Sequence, residues 1–219
     1  MDHVTTNHSH HDYLPAAGHD ALLPAYDLIT RLMGMRDSYP KLIEQAELTD
    51  GQRVLDIGCG TGNVTIAAKR ARPGIDAVGS DPDPRALARA RRKATGLSGI
   101  RFEQVYAQRL PYGDGEFDRV LSSMMFHHLD GQAKAAAAQE VFRVLRPGGR
   151  LHLVDLGGDA AHHGGLLARI MKRNHHAAGN LGDAIPNLLR GVGFDCAQVA
   201  AQPHRLLGQL AFYQATRPD

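Results

Sequence analysis

The chain has 219 residues, 43% of them hydrophobic and 22% charged, which suits one domain with a substantial core. The formal net charge is only +2, so the balance gives no strong nucleic-acid signal. Cys59 and Cys196 stand too far apart for a disulfide framework. No run approaches the roughly 18 apolar residues of a membrane helix, so a cytoplasmic protein is expected.

Residues 1–20 read as a flexible, His-rich start carrying His3, His8, His10, His11 and His19. Their irregular spacing favours a solvated polar tract over a metal site, and no positive segment leads into an apolar one as in a secretory signal. Residues 21–50 form a helical lead-in. Leu22, Leu23, Tyr26, Leu28, Ile29, Leu32 and Met33 fall at helical spacing, and Pro40 and Gly51 punctuate the stretch.

Residues 51–219 have a different texture, with short apolar runs alternating with helical segments. Arg53–Ile57 reads as a buried strand and 63–71 as a helix stopped before Pro73 and Gly74. Residues 77–80 form a second strand ending on Asp81. Asp83 caps the next helix, over 85–94, with Pro84 at its first position. Strands follow over 100–105 and 117–122, then an Ala-rich helix over 134–145 ended by Pro147, Gly148 and Gly149. A fifth strand covers 151–154, and 194–198 and 210–214 close the series, the last antiparallel. This rhythm predicts an α/β protein with a doubly wound, mostly parallel seven-stranded sheet and right-handed crossovers.

The sharpest local signal is Val54-Leu55-Asp56-Ile57-Gly58-Cys59-Gly60-Thr61-Gly62-Asn63. Three alternating glycines let the chain turn tightly beside a ligand, and the following helix turns its unpaired N–H groups toward it. The dinucleotide fingerprint spaces its glycines Gly-x-Gly-x-x-Gly, whereas here the third glycine comes one residue early, at Gly62. Asp81 closes the second strand 19 residues after Gly62, where one carboxylate can accept from both hydroxyls of a ribose.

The glycine segment resembles motif I of class I S-adenosylmethionine-dependent methyltransferases: an acid, any residue, then Gly-x-Gly-x-Gly. Leu110-Pro111-Tyr112-Gly113-Asp114-Gly115-Glu116-Phe117-Asp118 and Phe142-Arg143-Val144-Leu145-Arg146-Pro147-Gly148-Gly149 are similar to later elements of the same families, in order. The resemblance runs from Gln52 to Val154 and is nearest the ubiquinone/menaquinone C-methyltransferase branch, whose lead-in Tyr26–Met33 also resembles. It implies a Rossmann-like fold, S-adenosyl-L-methionine as cofactor and S-adenosyl-L-homocysteine as product. It also implies a cofactor site at Asp56, Gly58, Gly60 and Thr61, with Asp81 on the ribose, Tyr106 and Ala107 beside the adenine, and Ser123 near the methionine end. Many relatives carry an acid or Asn where Tyr106 stands.

Such chemistry needs a general base only where the acceptor loses a proton on attack. Of His127 and His128, just past the fourth strand, His127 is the preferred base. Capping a helix or lining the pocket is the other reading of the pair, and no residue is assigned as catalytic. The Ser122-Ser123-Met124-Met125 run replaces the Asn/Asp-Pro-Pro-aromatic tetrad of base methylation, and two cysteines are too few for arsenite. Residues 156–180, with His162, His163, His175 and His176, are expected to cover the acceptor rather than bind metal. The expected reaction is methyl transfer to carbon or oxygen of a small, partly apolar metabolite. A nicotinamide-dependent oxidoreductase and a non-catalytic binding module are the alternatives. The expected partner is a small-molecule acceptor; a homodimer is compatible with the chain, and no membrane span is expected.

Overall fold

A computed structural model describes residues 38–157, 183–204 and 208–219. The His-rich start, most of the helical lead-in and nearly all of the segment expected to cover the acceptor lie outside the described residues. What remains of the lead-in is helix α1, Ser38–Ala46, which buries Leu42 and Ala46.

Strand β1 (Arg53–Ile57) and helix α2 (Asn63–Ala71) keep the predicted bounds. An apolar run bounded by glycine at both ends leaves little freedom in where they start and stop. Strand β2 covers Asp76–Asp81. Helix α3 (Pro84–Lys93) follows, and the Asp83 carboxylate accepts from the Arg85 N–H at 2.8 Å, as the cap reading requires. Strands β3 (Ile100–Gln104) and β4 (Phe117–Ser123) follow, and a single 3-10 turn at Phe126–His128 leaves β4.

Helix α4 runs from Gly131 to Val144, three residues earlier than the Ala-rich pattern suggests, because Asp130 accepts from the Ala133 N–H at 2.8 Å. Pro147, Gly148 and Gly149 do not separate that helix from a short strand. Leu145 is already extended, and β5 spans Leu145–Leu156, with a register shift opposite Phe117 and Arg119 absorbing the irregularity. Helix α5 (Ala184–Val192) leads into β6 (Asp195–His204) and β7 (Gly208–Thr216), both longer than predicted.

The strands form one sheet in the order β3-β2-β1-β4-β5-β7-β6. Strands β1 to β5 run parallel to one another, and β7 lies antiparallel between β5 and β6. The central strands β1, β2 and β4 are covered on both faces, which explains why they read as nearly continuous apolar runs, while the edge strands β3 and β6 are more exposed. On one face Leu55, Ile57, Val120, Leu151 and Leu153 pack with Ala138 and Val141 of α4 and Ile185 and Leu189 of α5. On the other, Val54, Leu121, Val154 and Phe212 pack with Leu42 of α1 and with Val64 and Ala68 of α2. Strand order reverses between β1 and β4, so their carboxyl ends open a crevice there, where doubly wound sheets bind ligands. Among the described residues no helix is long and apolar enough to cross a membrane.

Candidate cofactor site

The bend after β1 depends on all three of its glycines. Gly58, Gly60 and Gly62 have φ of 65°, 52° and 76°, a region costly for other residues. A Cβ on Gly58 would meet Met125 Cγ at 2.3 Å, and one on Gly62 would meet Phe102 Cε1 at 2.8 Å. Gly60 differs: nothing lies within 4 Å of where its Cβ would stand. Two glycines are therefore needed for packing, and the middle one borders open space.

That space is a shallow hollow, partly open to solvent, bordered by Asp56, Gly58, Gly60, Thr61 and Ser123. Five residues named from sequence thus converge on one place. Cys59, Asn63 and Val64 of the bend and of α2 border it too. So do Tyr39 of α1 and Met124, which reading by sequence does not single out. Met124 is one of two non-glycine residues with positive φ among the described residues, at 55°. Its strained backbone follows the end of β4 at the hollow's rim.

Asp56 is almost fully buried. The Thr65 hydroxyl donates to its Oδ2 at 2.6 Å, so β1 reaches the first turn of α2 from inside the sheet. Helix α2 needs that help, because Gly62 at its N-cap has no side chain to offer. Burial pushes the Asp56 pKa up to about 7, against the lowering effect of its Thr65 bonds. Burial also pushes the Cys59 thiol well up, so it is not a thiolate nucleophile.

Asp81 ends β2 next to this bend. Its Oδ2 accepts from the Gly60 N–H at 2.8 Å and its Oδ1 from the Asp83 N–H at 2.9 Å. Each oxygen can accept a further bond. Burial pushes this carboxyl up as well, and the two backbone N–H groups oppose it. Asp81 is tied to the bend but does not itself border the hollow.

Tyr106 and Ala107 lie beyond β3, outside the hollow's lining. The Val105 N–H donates to the Asp81 carbonyl at 3.2 Å, so the segment carrying them runs alongside Asp81. Tyr106 is 42% exposed, so its ring is open to contact from solvent. Thr61 is buried, and its hydroxyl accepts from Lys93 Nζ at 3.1 Å, which also donates to Asn63. A hollow flanked by carboxyls, with a bare glycine at its lip, fits a compact cationic nucleoside better than a pyrophosphate.

Comparison with known proteins agrees. A methyltransferase-domain family model matches residues 54–149. A demethylmenaquinone methyltransferase of Thermus thermophilus is 35% identical over 158 residues, covering 68% of this chain and 69% of that protein. One from Deinococcus radiodurans is 36% identical over 154 residues, covering 68% and 63%. The chain thus spans about two thirds of the length of these relatives. In fold it resembles the phosphoethanolamine N-methyltransferase 2 of Haemonchus contortus, with a TM-score of 0.77 at 17% identity, covering 93% of this chain and 58% of that one. The chain belongs to the class I S-adenosylmethionine-dependent methyltransferases.

Proposed function

We propose that the protein transfers a methyl group from S-adenosylmethionine to carbon or oxygen of a small, partly apolar metabolite. The observation that carries this is the meeting of Asp56, Gly58, Gly60 and Ser123 around one hollow, with Asp81 bonded to the same bend. When bound, S-adenosylmethionine supplies an electrophilic sulfonium methyl. The protein's work is then mostly alignment, which can remove roughly 7–11 kcal/mol of a bimolecular barrier.

In this reading the bare edge of Gly60 admits the cofactor's backbone-facing side, while Thr61 keeps the bend in shape from its buried position. Asp56 stands toward the cationic end, and Ser123 beside the amino-acid portion. Asp81 uses its remaining lone pairs on the ribose hydroxyls, and Tyr106 and Ala107 flank the adenine. Two relatives named as demethylmenaquinone methyltransferases support a ring acceptor with apolar character. Met124 and Tyr39 give the hollow the apolar border that such a ring needs.

The test is incubation with S-adenosylmethionine and demethylmenaquinol, followed by mass spectrometry. A product one methyl group heavier, with stoichiometric S-adenosylhomocysteine, is expected. Failure to transfer to this or any ring acceptor, with thermal stabilisation by NAD rather than by S-adenosylhomocysteine, would overturn it.

A further inference from the structure

Between β3 and β4 the chain runs through residues 105–116 without a helix or strand, so the backbone groups there must find partners elsewhere. The stretch carries Tyr106 and Ala107 near its start. That end is fixed to the sheet, since the Val105 N–H donates to the Asp81 carbonyl at 3.2 Å. The Arg109 N–H then closes a turn on the Tyr106 carbonyl at 3.0 Å. Inside that turn, the Ala107 N–H has no acceptor among the described residues.

The turn's other end is fixed by two side chains of α4. Glu140 Oε2 accepts from the Leu110 N–H at 2.7 Å, and Arg143 Nη2 donates to the Leu110 carbonyl at 3.0 Å. One ion pair therefore meets both backbone groups of one residue. Leu110 needs this, because its side chain is buried in the same apolar cluster as Phe117 and Val141. Arg143 Nη1 extends the hold, donating to the Tyr112 carbonyl at 2.7 Å and to Asp114 Oδ1 at 2.8 Å.

The pair itself is bidentate across one helical turn. Arg143 Nε reaches Glu140 Oε1 at 2.8 Å, and Nη2 reaches Oε2 at 2.9 Å. The Arg143 bond holds the Glu140 carboxyl below its ordinary value, and the Glu140 and Asp114 bonds push the guanidinium up. Both side chains are partly exposed, at 21% and 33%, so attraction between them adds little to stability. What the pair does is fix a backbone.

We infer that Glu140 and Arg143 are positioning residues for the base-binding side of the cofactor site. From α4 they fix Leu110, and through Leu110 the Tyr106–Arg109 turn that presents the Ala107 N–H. The inference rests on the methyltransferase reading, with the nucleoside base beside Tyr106 and Ala107, and adds a specificity device to it. Adenine offers a lone pair at N1, to which an N–H can donate. Hypoxanthine carries hydrogen there and sets donor against donor. A turn held at both ends distinguishes the two bases, because the mismatched N–H cannot move aside. A turn held only at Val105 can.

The test is calorimetric titration of S-adenosylhomocysteine and its deaminated analogue, S-inosylhomocysteine. Wild type, R143A, R143K and E140A are each titrated below the onset of their own unfolding. Wild type should prefer the adenine compound by about tenfold. R143A and E140A should lose roughly three- to tenfold of their S-adenosylhomocysteine affinity, with S-inosylhomocysteine changed less than about twofold. The preference then narrows. R143K, whose compact ammonium cannot hold Glu140, Leu110 and Tyr112 together, should fall between. Amide exchange at residues 106–110 of wild type should slow when S-adenosylhomocysteine binds, and in R143K without ligand it should be faster while β1 keeps its rates. Both compounds weakened alike, with the preference intact, is the outcome of a pair that only stabilises the fold and would overturn the inference. So would a wild type that binds the two compounds equally, or exchange at 106–110 that ignores both ligand and substitution. Wild type binding neither compound would instead overturn the underlying reading.

Discussion

The backbone N–H of Gly60 donates to the carboxylate of Asp81 over 2.8 Å, joining the bend after β1 to the end of the neighbouring strand. One side chain thereby sets the shape of the bend and keeps spare lone pairs beside it. The two strand ends behave as one unit, and substitutions in either should be felt in the other.

The three glycines of the bend are not equivalent. G58A should destabilise by roughly 2–4 kcal/mol, combining left-handed strain of about 1–2 kcal/mol with overpacking against Met125. G60A meets no atom within 4 Å and should carry only the strain, about 1–2 kcal/mol, yet lower S-adenosylhomocysteine affinity at least tenfold by crowding the hollow. Urea denaturation and calorimetric titration of both variants check the contrast.

Asp56 should make stability depend on pH. Its folded pKa of about 7 lies above the ordinary 3.8, so the folded state binds the extra proton between those values. Stability from this group is therefore greatest at low pH and falls as pH rises from about 4 to 7. D56N should flatten that slope in urea midpoints measured across the window. A cationic ligand should also favour the ionised form, so binding near pH 6 should release a proton in wild type and not in D56N. Titration in buffers of different ionisation enthalpy reads this directly.

The cap of α4 offers a check independent of ligand. Asp130 holds the Ala133 N–H at 2.8 Å, and D130A should destabilise by about 0.5–2 kcal/mol without changing cofactor affinity. Thermal denaturation with and without S-adenosylhomocysteine separates the two effects.

What could be read from sequence follows the range of the interactions involved. Strand β1, helix α2 and the bend between them are specified by neighbours: an apolar run, three glycines and an acid two residues ahead. Asp81 was legible too, because a strand of regular length ends on it. The start of α4 is less legible although Asp130 carries the signal, since Gly131, a weak helix former, stands at its first position. The length of β5 was hidden by Pro147, Gly148 and Gly149, which read as a break but lie in an irregular strand. Tyr39, Met124 and the Asp155 partner of His127 had no local signal. Asp155 sits 28 residues from His127, and only the parallel pairing of β4 with β5 brings them together.

The most direct measurement of the central claim is calorimetric titration of S-adenosylmethionine into wild type, D81N and D81A. Wild type should bind with a micromolar Kd. D81A should lose about 10- to 100-fold or more, since hydrogen bonds to a charged group contribute roughly 1.5–3 kcal/mol each. D81N, which keeps the shape but not the charge, should fall between the two. Wild-type affinity in D81A, or no binding by wild type at hundreds of micromolar, would contradict a cofactor held between the glycine bend and the end of β2.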